Sequence, residues 1–402
     1  MKKKTNDFYS LSRQNQNKRL KEITLVFLKL GTIAFGGPAA HVAMMEDEIV
    51  KKRKWLTKDK FLDLYSATNL LPGPNSTELA IHLGLERGGW RGLILAGGGF
   101  ILPAMLIVML VASLYSRYGS LPEISGILYG IQPVIIAILL QALIRLGQSA
   151  IKSISKGILG IIVIILSFLG LHELILLFLA GIIMMLLTNS TKLKQGGASL
   201  RSFSPFSALF IGGTVSNLLS DGSSTDKAMG LSGLFLTFLK IGSVLYGSGY
   251  VLLAFLESDF VERYGLLSQQ QLLDAVSVGQ ITPGPVFTTA TFIGYLIYGV
   301  WGGILATVGI FLPAFILVGL VNPYISRLRS SSWISGLLDG INIASWGLMA
   351  VVSCKLAIAA VVDLPTILLA VASFFLVFHL KINSAWLVFG GGLIGHLINT
   401  FI

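Results

Sequence analysis

Charged residues are scarce in this sequence, and long polar stretches are scarce with them. Asp, Glu, Lys and Arg make up 12% of the 402 residues and hydrophobic residues make up 54%, whereas about a quarter of the residues of soluble domains are charged. This composition excludes a sizeable soluble domain and predicts an all-α polytopic membrane protein. A bilayer core needs about 20 residues of helix, and suitable apolar stretches lie at 90–116, 122–144, 157–188, 300–321, 341–362 and 364–402. The third and the last are long enough for helix pairs.

The residues of common catalytic and metal sites are also missing. The single cysteine, Cys354, excludes a disulfide framework within the chain and a cysteine-based metal cluster, and we expect it to be a small residue of the apolar core. The chain has no GxxxxGK phosphate-binding loop and no GxSxG nucleophile motif, and HELIL at His172 departs from the HExxH zinc pattern. We therefore expect neither an enzyme nor a metal or cofactor.

The charge that is present is mostly positive. The net charge is +11, and Lys and Arg concentrate in residues 1–22, in 51–60, and in the connections 145–156 and 192–201. Basic connections between apolar spans follow the positive-inside rule better than they fit a nucleic-acid surface. Residues 1–22 also lack the apolar core of a signal peptide, so we expect them to be a basic cytoplasmic tail.

The chain contains an internal repeat. With an offset of 211 residues, FLKLGTIAFGG from Phe27 aligns with FLKIGSVLYGS from Phe238, and the alignment continues without a gap to Trp90 and Trp301. A slip of one residue then carries the match through FILPA at 100 and IFLPA at 310. The other matched pairs include Lys29/Lys240, Gly36/Gly247, Glu46/Glu257, Asp63/Asp274, both PGP segments, Gly88/Gly299, Gly126/Gly336, Gly130/Gly340 and Arg145/Lys355. Such internal duplication is typical of secondary transporters, whose substrate site lies between the repeats.

Two homologous halves of about 5–6 membrane segments each are therefore expected, at 23–189 and 231–402, joined by a Ser/Gly-rich linker at 190–230. The loop 51–60 carries six Lys and Arg, whereas its counterpart 262–271 carries one. Equivalent loops of unequal positive charge favour an inverted-topology repeat, and an apolar stretch at 203–219 would supply the extra crossing that inversion needs. A parallel repeat with a drifted loop is the alternative.

Each half is interrupted twice, once at glycines (FGGP at 35–38, YGSG at 246–249) and once at PGP (72–74 and 283–285). Unpaired backbone survives in a membrane only where protein encloses it or where it lines a wet cavity. A helix that begins at a proline presents free N–H groups and its positive dipole end, so we predict that the two PGP helix starts bind a small oxyanion. The predicted binding residues are Gly36, Gly37, Pro72, Gly73, Pro74, Asn75, Ser76, Thr77, Gly247, Ser248, Gly249, Pro283, Gly284, Pro285, Thr288 and Thr289.

Alternatively, each PGP is a packing kink whose polar residues cap their own helix. Because the first half has NST after its PGP and the second has VFT, we expect the first half to make more of the polar contacts.

Several ionisable residues are candidates for charge balance or coupling. Lys29 and Lys240 lie in apolar segments, where an ionisable residue is a functional hypothesis. They would add positive potential to the site or neutralise Glu46 and Glu257, unless they snorkel to the interface. Glu46 and Glu257 fall at segment ends, which favours ordinary interfacial carboxylates over proton carriers.

Three further acids lie close to the PGP segments. Asp63 and Asp274 precede them by nine residues and are either helix-start residues or proton-coupling acids. Glu78 is preferred as a capping partner of Asn75 over a titratable group of the site. His41 and His82 have no counterparts in the second half, which favours a packing or interface role.

The paired motifs resemble the chromate ion transporter family in its long two-domain form. The resemblance rests on FGGPAAHVAMMEDEIV, LPGPNSTELAIHLG, RGGWRG and FILPA, repeated as YGSGYVLLAFLESDFV, ITPGPVFTTATFIGY, YGVWGG and IFLPAF, from about residue 24 to about residue 355. It implies a multi-pass protein of the bacterial plasma membrane that exports chromate, driven by a proton gradient or by the membrane potential. It also implies sulfate as a close analogue, oppositely oriented halves, and a site at the glycine breaks and PGP segments.

The sequence leaves alternatives open. The second half has Gly249 for Pro38, and Val286 and Phe287 after its PGP, so the two halves need not contact the anion equally. The family does not fix chromate against sulfate or another anion, nor export against uptake. Outside secondary transport, a membrane enzyme, a lipid scramblase and a channel are rivals. Coupling, the number of crossings and the oligomeric state, a homodimer included, stay open.

Overall fold

The computed structural model describes residues 8–119, 121–190, 229–246, 249–325, 328, 331–380 and 382–401, which form helices and connections without a strand among them. The helices of the first half are α1 (Arg13–Ile33), α2 (Gly37–Glu46), α3 (Lys58–Thr68), α4 (Asn75–Tyr118), α5 (Pro122–Ala150), α6 (Ile154–Phe168) and α7 (Glu173–Thr188). Those of the second half are α8 (Leu231–Val244), α9 (Leu252–Leu256), α10 (Gln269–Ile281), α11 (Thr289–Val321), α12 (Ser332–Ala360), α13 (Leu364–Phe378) and α14 (Ser384–Phe401).

Long apolar helices confirm the predicted all-α membrane fold. Within the part of the chain that the structure describes, α4, α5, α12 and the segment Val286–Tyr324, which contains α11, are long and apolar enough to cross a membrane. The apolar stretches 157–188 and 364–402 form the helix pairs α6–α7 and α13–α14. Ser153 and Asp363 accept backbone N–H groups at the first turns of α6 and α13, which is why both helices begin where they do.

The repeat extends further along the chain than the matched sequence motifs do. Both ends of α5 and of α6 are separated by 210 residues from the ends of α12 and of α13. The helices of the two halves therefore correspond one to one, through to the last described helix. This correspondence supports two homologous halves over nearly the whole chain.

The sequence alignment of the two halves, which pairs Gly88 with Gly299, is wrong by one residue at the kink within α4. There Gly88 has φ −134° and Gly89 has φ +61°, and the matching kink in α11 has Tyr298 at φ −136° and Gly299 at φ +61°. Gly89, not Gly88, is therefore the counterpart of Gly299, since only the second kink position needs the left-handed conformation that glycine tolerates. The one-residue shift in the alignment therefore lies between the PGP segment and the kink. In this stretch the second half has a 3₁₀ turn at Val286–Thr288, directly after its PGP segment.

The two halves have opposite orientations. Trp90, directly after the kink of α4, contacts Gly319 near the end of α11. Met109, further along α4, contacts Gly303 near the kink of α11. The equivalent helices α4 and α11 thus run antiparallel against each other. This geometry agrees with the inverted repeat predicted from the loop charges and disfavours a parallel repeat.

Each break turns the chain back toward the face from which it came. The α1–α2 hairpin bends at Gly36, and its arms meet again where Arg53 Nη1 lies 3.1 Å from Glu22 Oε1. The α3–α4 hairpin bends at PGP, and its arms end together where Lys60 Nζ lies 3.7 Å from Glu86 Oε1. Arg87 also contacts Glu22, at 3.1 Å, so both hairpins open to one face. We call it the basic face, because it carries the Lys- and Arg-rich loop 51–60; the hairpins of the second half open to the opposite face.

The last two helices of each half pack on the other half. Helix α7 packs along α12, where Gly340 closely approaches the backbone of Gly181, and α14 packs along α5, where Gly130 closely approaches the backbone of Gly391. Small residues allow these close helix contacts, as the Gly126/Gly130 and Gly336/Gly340 pairs indicate. The exchange joins the two halves into one body.

One local expectation is wrong. Cys354 is exposed on the surface of α12 because that side of the helix faces away from the helices that pack on α12. The predicted tail at 1–22 is helical from Arg13, where Ser12 accepts the Asn15 N–H, because a capping residue precedes a run of good helix formers. Most of the predicted linker, residues 191–228, lies outside the described residues, as does its apolar stretch at 203–219.

Candidate functional site

The two PGP turns and the two glycine breaks are joined crosswise at the centre of the molecule. The Gly73 N–H donates to the Leu245 carbonyl at 2.8 Å, and the Gly284 N–H donates to the Ala34 carbonyl at 2.8 Å. Leu245 and Ala34 directly precede the glycine breaks of their halves. Each PGP turn is therefore hydrogen-bonded to the glycine break of the other half, which satisfies backbone groups that helix breaks leave unpaired.

Glycine is required at the centre of each PGP turn. Gly73 has φ +142° and Gly284 has φ +95°, which L-residues rarely adopt. A Cβ on Gly73 would lie 2.6 Å from Glu78 Oε1, and a Cβ on Gly284 would lie 2.7 Å from Ala104 Cβ. The prolines that follow are extended and directly precede the helical turns at Asn75 and Val286, so Pro74 and Pro285 lie one position before the first helical residue where they were expected.

A cavity of about 410 Å³ lies where the two halves meet. It is much larger than the space that one water molecule needs, which is about 10–15 Å³. We call it the central cavity. The first half lines it with Pro38, Ala39, Tyr65, Asn69, Pro74, Asn75, Ser76, Leu146, Ser149 and Ala150, and the second half with Gly249, Val251, Val286, Phe287, Asp339, Asn342, Ser345 and Trp346.

The two helix starts differ in what they present to the central cavity. Asn75 and Ser76 line it from the first half, whereas Val286 and Phe287 line it from the second. The Thr288 and Thr289 hydroxyls donate to backbone carbonyls of their own 3₁₀ turn, both at 2.8 Å. The threonines of the second half therefore stabilise their turn, as the packing alternative expects, while the first half supplies polar side chains.

The predicted binding residues are not all brought together. Pro74, Asn75, Ser76 and Gly249 line the central cavity, and Gly36 lines a cavity adjoining it. Gly247 and Ser248 lie outside the described residues. The remaining predicted residues shape the turns behind the lining: Gly37, Pro72, Gly73, Thr77, Pro283, Gly284, Pro285, Thr288 and Thr289.

His41 is part of this centre, and its ring makes hydrogen bonds in addition to the packing or interface contacts that were expected. Its Nε2–H donates to the Ala34 carbonyl at 3.0 Å, which leaves Nδ1 to accept from the Ser76 hydroxyl at 3.2 Å. The same Ala34 carbonyl accepts the Gly284 N–H. His41 thus connects the first glycine break, the first helix start and the PGP turn of the other half. His82 is buried without a hydrogen-bond partner among the described residues, in line with packing.

Glu78 does not cap the helix that begins at Asn75. Its side chain is fully buried, and neither carboxyl oxygen has a hydrogen-bond partner in the described part of the chain. The amide of Asn75 donates instead to Asn69. The capping prediction fails because Oε1 of Glu78 turns back toward Gly73. The carboxyl group of Glu78 therefore lies directly behind the first PGP turn.

Lys29 and Lys240 do not neutralise Glu46 and Glu257. Lys29 Nζ lies 3.3 Å from Glu48, and Lys240 Nζ lies 2.9 Å from Asp259, so the matched lysines have matched partners two residues further on. The reason is a π-helical turn that begins at Asp47 in the first half and at Glu257 in the second and shifts the side chains around the axis. Neither the two lysines nor their partners Glu48 and Asp259 line the central cavity.

The carboxylates that were expected to be neutralised have other partners. Glu46 lies 3.8 Å from Lys58, and the buried Glu257 lies 3.4 Å from Lys355 and accepts from Gln269 at 2.8 Å. Glu46 thus contacts a lysine of the basic loop 51–60, as an interfacial carboxylate does. Glu257, in contrast, is 1% exposed, so the simple interfacial role expected for it is wrong.

Asp63 and Asp274 are not helix-start residues, because α3 begins at Lys58 and α10 begins at Gln269. Asp274 is buried and accepts hydrogen bonds from Tyr115 at 2.8 Å and from Gln132 at 2.9 Å. Tyr115 and Gln132 belong to α4 and α5. These hydrogen bonds therefore hold α10 of the second half against the first half.

The counterparts of these groups are open to solvent on the basic face. Asp63, Asn69 and Asn342 are exposed, whereas the matched Asp274, Gln280 and Gln132 are 2%, 7% and 4% exposed. Asn69 and Asn342 line the central cavity. The two halves are thus in different states: the path from the centre is open toward the basic face and closed toward the opposite face.

Comparison with known proteins follows the same division into halves. The profile described as "Chromate transporter" matches residues 21–186 and again residues 232–396. The chain belongs to the chromate transporter family. It is accordingly a multi-pass membrane transport protein and not an enzyme, and the resemblance seen in the sequence motifs is confirmed. No solved structure matches it.

Curated relatives of this chromate transporter match over nearly full length. A chromate transport protein of Cupriavidus metallidurans is 31% identical over 380 residues, covering 94% of this chain and 92% of the relative. A probable chromate transport protein of Synechococcus elongatus is 30% identical over 354 residues, covering 87% and 88%. A chromate transport protein of Pseudomonas aeruginosa is 26% identical over 379 residues, covering 92% and 91%.

Proposed function

We propose that this protein exports chromate from the cytoplasm of a bacterium across the plasma membrane by alternating access. The names of the relatives support chromate as the anion. The observation that carries the mechanism is the reciprocal pair of hydrogen bonds between PGP turns and glycine breaks, beside a cavity that opens to one face only. The excess of Lys and Arg on that face supports its placement in the cytoplasm.

The anion binds in the central cavity against the first helix start. The helix that begins at Asn75 presents free backbone N–H groups and the positive end of its dipole, which together favour anions. The Asn75 amide lies beside it and has a second N–H beyond the one that it donates to Asn69. The Ser76 hydroxyl donates to His41, so Ser76 offers the anion its backbone N–H and not its hydroxyl proton. The second helix start contributes Val286 and Phe287, so it shapes the cavity more than it binds the ion.

Transport follows when the two halves exchange their states. Opening toward the opposite face requires the Asp274 hydrogen bonds to break, and closing toward the basic face requires the matched region around Asp63 and Asn342 to pack as Asp274 and Gln132 pack now. Because the halves have equivalent helices in opposite orientations, the second state is the first with the roles of the halves exchanged.

The membrane potential and a proton gradient provide the driving force, and Glu78 is the residue that couples the proton gradient to transport. A dianion that leaves a negative-inside cell moves down the electrical gradient, by about 2.3 kcal/mol per charge at 100 mV. The buried, unpartnered Glu78 touches the turn that must move when the site changes access. An unpaired buried charge is costly, so Glu78 exchanges a proton as the turn moves and links proton movement to transport.

The test is chromate accumulation in a chromate-sensitive bacterium that expresses the full chain, with and without an uncoupler and with competing sulfate. Export predicts lower accumulation and higher resistance than in cells with the empty vector, with the difference reduced by the uncoupler. Glu78→Gln is expected to keep chromate binding and to lose the response to a pH gradient in vesicles at zero membrane potential. Unchanged accumulation would refute chromate export. If competing sulfate inhibits the transport of labelled chromate more strongly than unlabelled chromate does, the protein is a sulfate permease.

A further inference from the structure

A second cavity adjoins the central cavity on the basic face. Its volume is about 430 Å³, and it shares Pro38, Ala39 and Leu146 with the lining of the central cavity. Arg145 and Asn383 line the part that the central cavity does not reach. We call this space the Arg145 cavity. An ion that enters it is already in contact with residues of the central cavity.

Arg145 is a charge without a partner. No carboxylate lies within ion-pair distance of Arg145 among the described residues, and no acidic residue lines the Arg145 cavity. The one acidic residue in the lining of the central cavity, Asp339, lies 2.7 Å from Lys156 Nζ. The two connected cavities, as far as the structure describes them, therefore keep one uncompensated positive charge.

The other half contains the counterpart of this cavity, and there the charge is reversed. A cavity of about 200 Å³ is lined by Lys355, the counterpart of Arg145, with Glu173, Glu257 and Glu262. Lys355 Nζ lies 2.6 Å from Glu262 and 3.4 Å from Glu257. With three carboxylates around one lysine, this Lys355 cavity is acidic, and it shares no lining residue with the central cavity.

We propose that the Arg145 cavity is an entry site for a tetrahedral oxyanion on the basic face, with Arg145 as the residue that binds the anion before it reaches the helix start. The inference rests on the proposed function and goes beyond it. It assigns the recruiting charge to a position that the sequence pattern marks only as half of an Arg145/Lys355 pair.

The chemistry of arginine suits this role. A guanidinium presents several N–H donors in a planar fork that matches oxyanion geometry and always keeps its charge. Arg145 is exposed at a water-accessible cavity that is lined mostly by apolar residues, so it attracts a dianion without holding it too tightly to release it. The acidic Lys355 cavity repels the same dianion, so loading from the opposite face is weaker. The two cavities together make the apparent affinity depend on the side from which chromate arrives.

The experiment measures chromate uptake into inside-out membrane vesicles, whose outer surface is the basic face, at a series of chromate concentrations. Arg145→Gln is expected to raise KM by about tenfold or more with little change in Vmax, as fits the loss of a charge-assisted hydrogen bond worth about 1.5–3 kcal/mol. The KM of Arg145→Lys should lie between the KM of Arg145→Gln and that of the unchanged protein. Arg117→Gln, which removes an exposed arginine outside these cavities, is the matched control and should leave KM unchanged.

Direct binding separates this proposal from the function on which it rests. Binding of radioactive chromate, and separately of sulfate, to the purified protein is expected to weaken in Arg145→Gln by the same factor as KM, with normal behaviour in size-exclusion chromatography. If the unchanged protein moves chromate and Arg145→Gln keeps the KM and the affinity, the entry site is refuted and the function stands. If the unchanged protein moves no chromate but binds sulfate through Arg145, the function is refuted and the site stands.

Discussion

At the scale of single residues, the centre of this transporter depends on groups whose roles come from where the chain bends. Gly284 is an example, because its N–H reaches the Ala34 carbonyl only in a left-handed conformation. Its missing side chain leaves room for Ala104 and for the backbone of Gly31 and Phe100. Conformation, hydrogen bond and space all require glycine here.

Gly284→Val is expected to abolish transport or to lower it at least tenfold. A branched residue at φ +95° costs about 1–3 kcal/mol in backbone strain, and its Cβ would overlap Ala104. Chromate transport is compared at equal protein level in the membrane. Gly98→Ala is the control, because a Cβ at Gly98 meets no atom within 4 Å. Full transport by Gly284→Val would show that the PGP turn is not part of the pathway.

The two buried histidines of the first half make a matched comparison. His41→Leu removes two hydrogen bonds and frees the Ser76 hydroxyl, so we expect a loss of about 1–3 kcal/mol of stability and a clear fall in transport. His82→Leu removes ring nitrogens that have no partner in the described residues, so stability should hold or rise. Thermal unfolding in detergent and transport rates check both variants. Equal effects of the two variants would contradict the role given to His41.

At the scale of helices, close contacts between glycines fix how the halves exchange their last helices. Gly340 on α12 meets Ala180 and Gly181 of α7, and Gly130 on α5 meets Gly391 of α14. These contacts are equivalent under the repeat, although one lies nearer the basic face and the other nearer the opposite face.

Gly340→Leu and Gly130→Leu are both expected to separate a helix pair and to destabilise the protein by several kcal/mol, since overpacking costs about 1–3 kcal/mol even where the backbone can shift. Gly390→Leu, at a position on α14 with open space around its Cα, should have little effect. The unfolding temperature in detergent and the amount of monodisperse protein measure the difference. A strong effect of only one of the two glycines would mean that the exchanged packing is not equally important in both halves.

At the scale of the whole molecule, the structure has one side closed by a small polar cluster. Tyr115 and Gln132 of the first half donate to Asp274 of the second, and hydrogen bonds to a carboxylate are each worth about 1.5–3 kcal/mol. The matched groups on the basic face do not form such a cluster around the central cavity. The balance between the two access states therefore depends on this difference between the halves.

Replacing Tyr115 by Phe and Gln132 by Ala is expected to shift the protein toward the state that is open to the opposite face. The readout is a membrane-impermeant maleimide and a single cysteine, at Gln280 or at its counterpart Asn69, with Cys354 changed to Ser. Labelling at 280 from the opposite face should rise about tenfold, while labelling at 69 from the basic face falls. Unchanged labelling at both positions would exclude the cluster as the closed gate.

Some features of the site could be predicted from the sequence, and others could not. Proline and glycine fixed the breaks locally, because both residues act on their own backbone. The role of His41 could not be predicted, because its partner Ser76 lies in another hairpin and nothing in the local pattern indicates which hairpins meet. The capping role assigned to Glu78 was wrong, since the side chain of a first-turn glutamate can turn toward the cap or away from it, and only packing decides.

The sequence by itself determined the membrane class, the two halves, the paired breaks and the unequal loop charge that indicates inversion, because composition, period and backbone chemistry are local properties. Only the tertiary structure decided that each PGP turn bonds to the glycine break of the other half, and that Arg145 is unpaired while Lys355 is surrounded by carboxylates. It also decided which face is closed. Two copies of the same motifs can close on either side, and the choice rests on contacts between residues that are distant in the chain, such as Gln132 and Asp274.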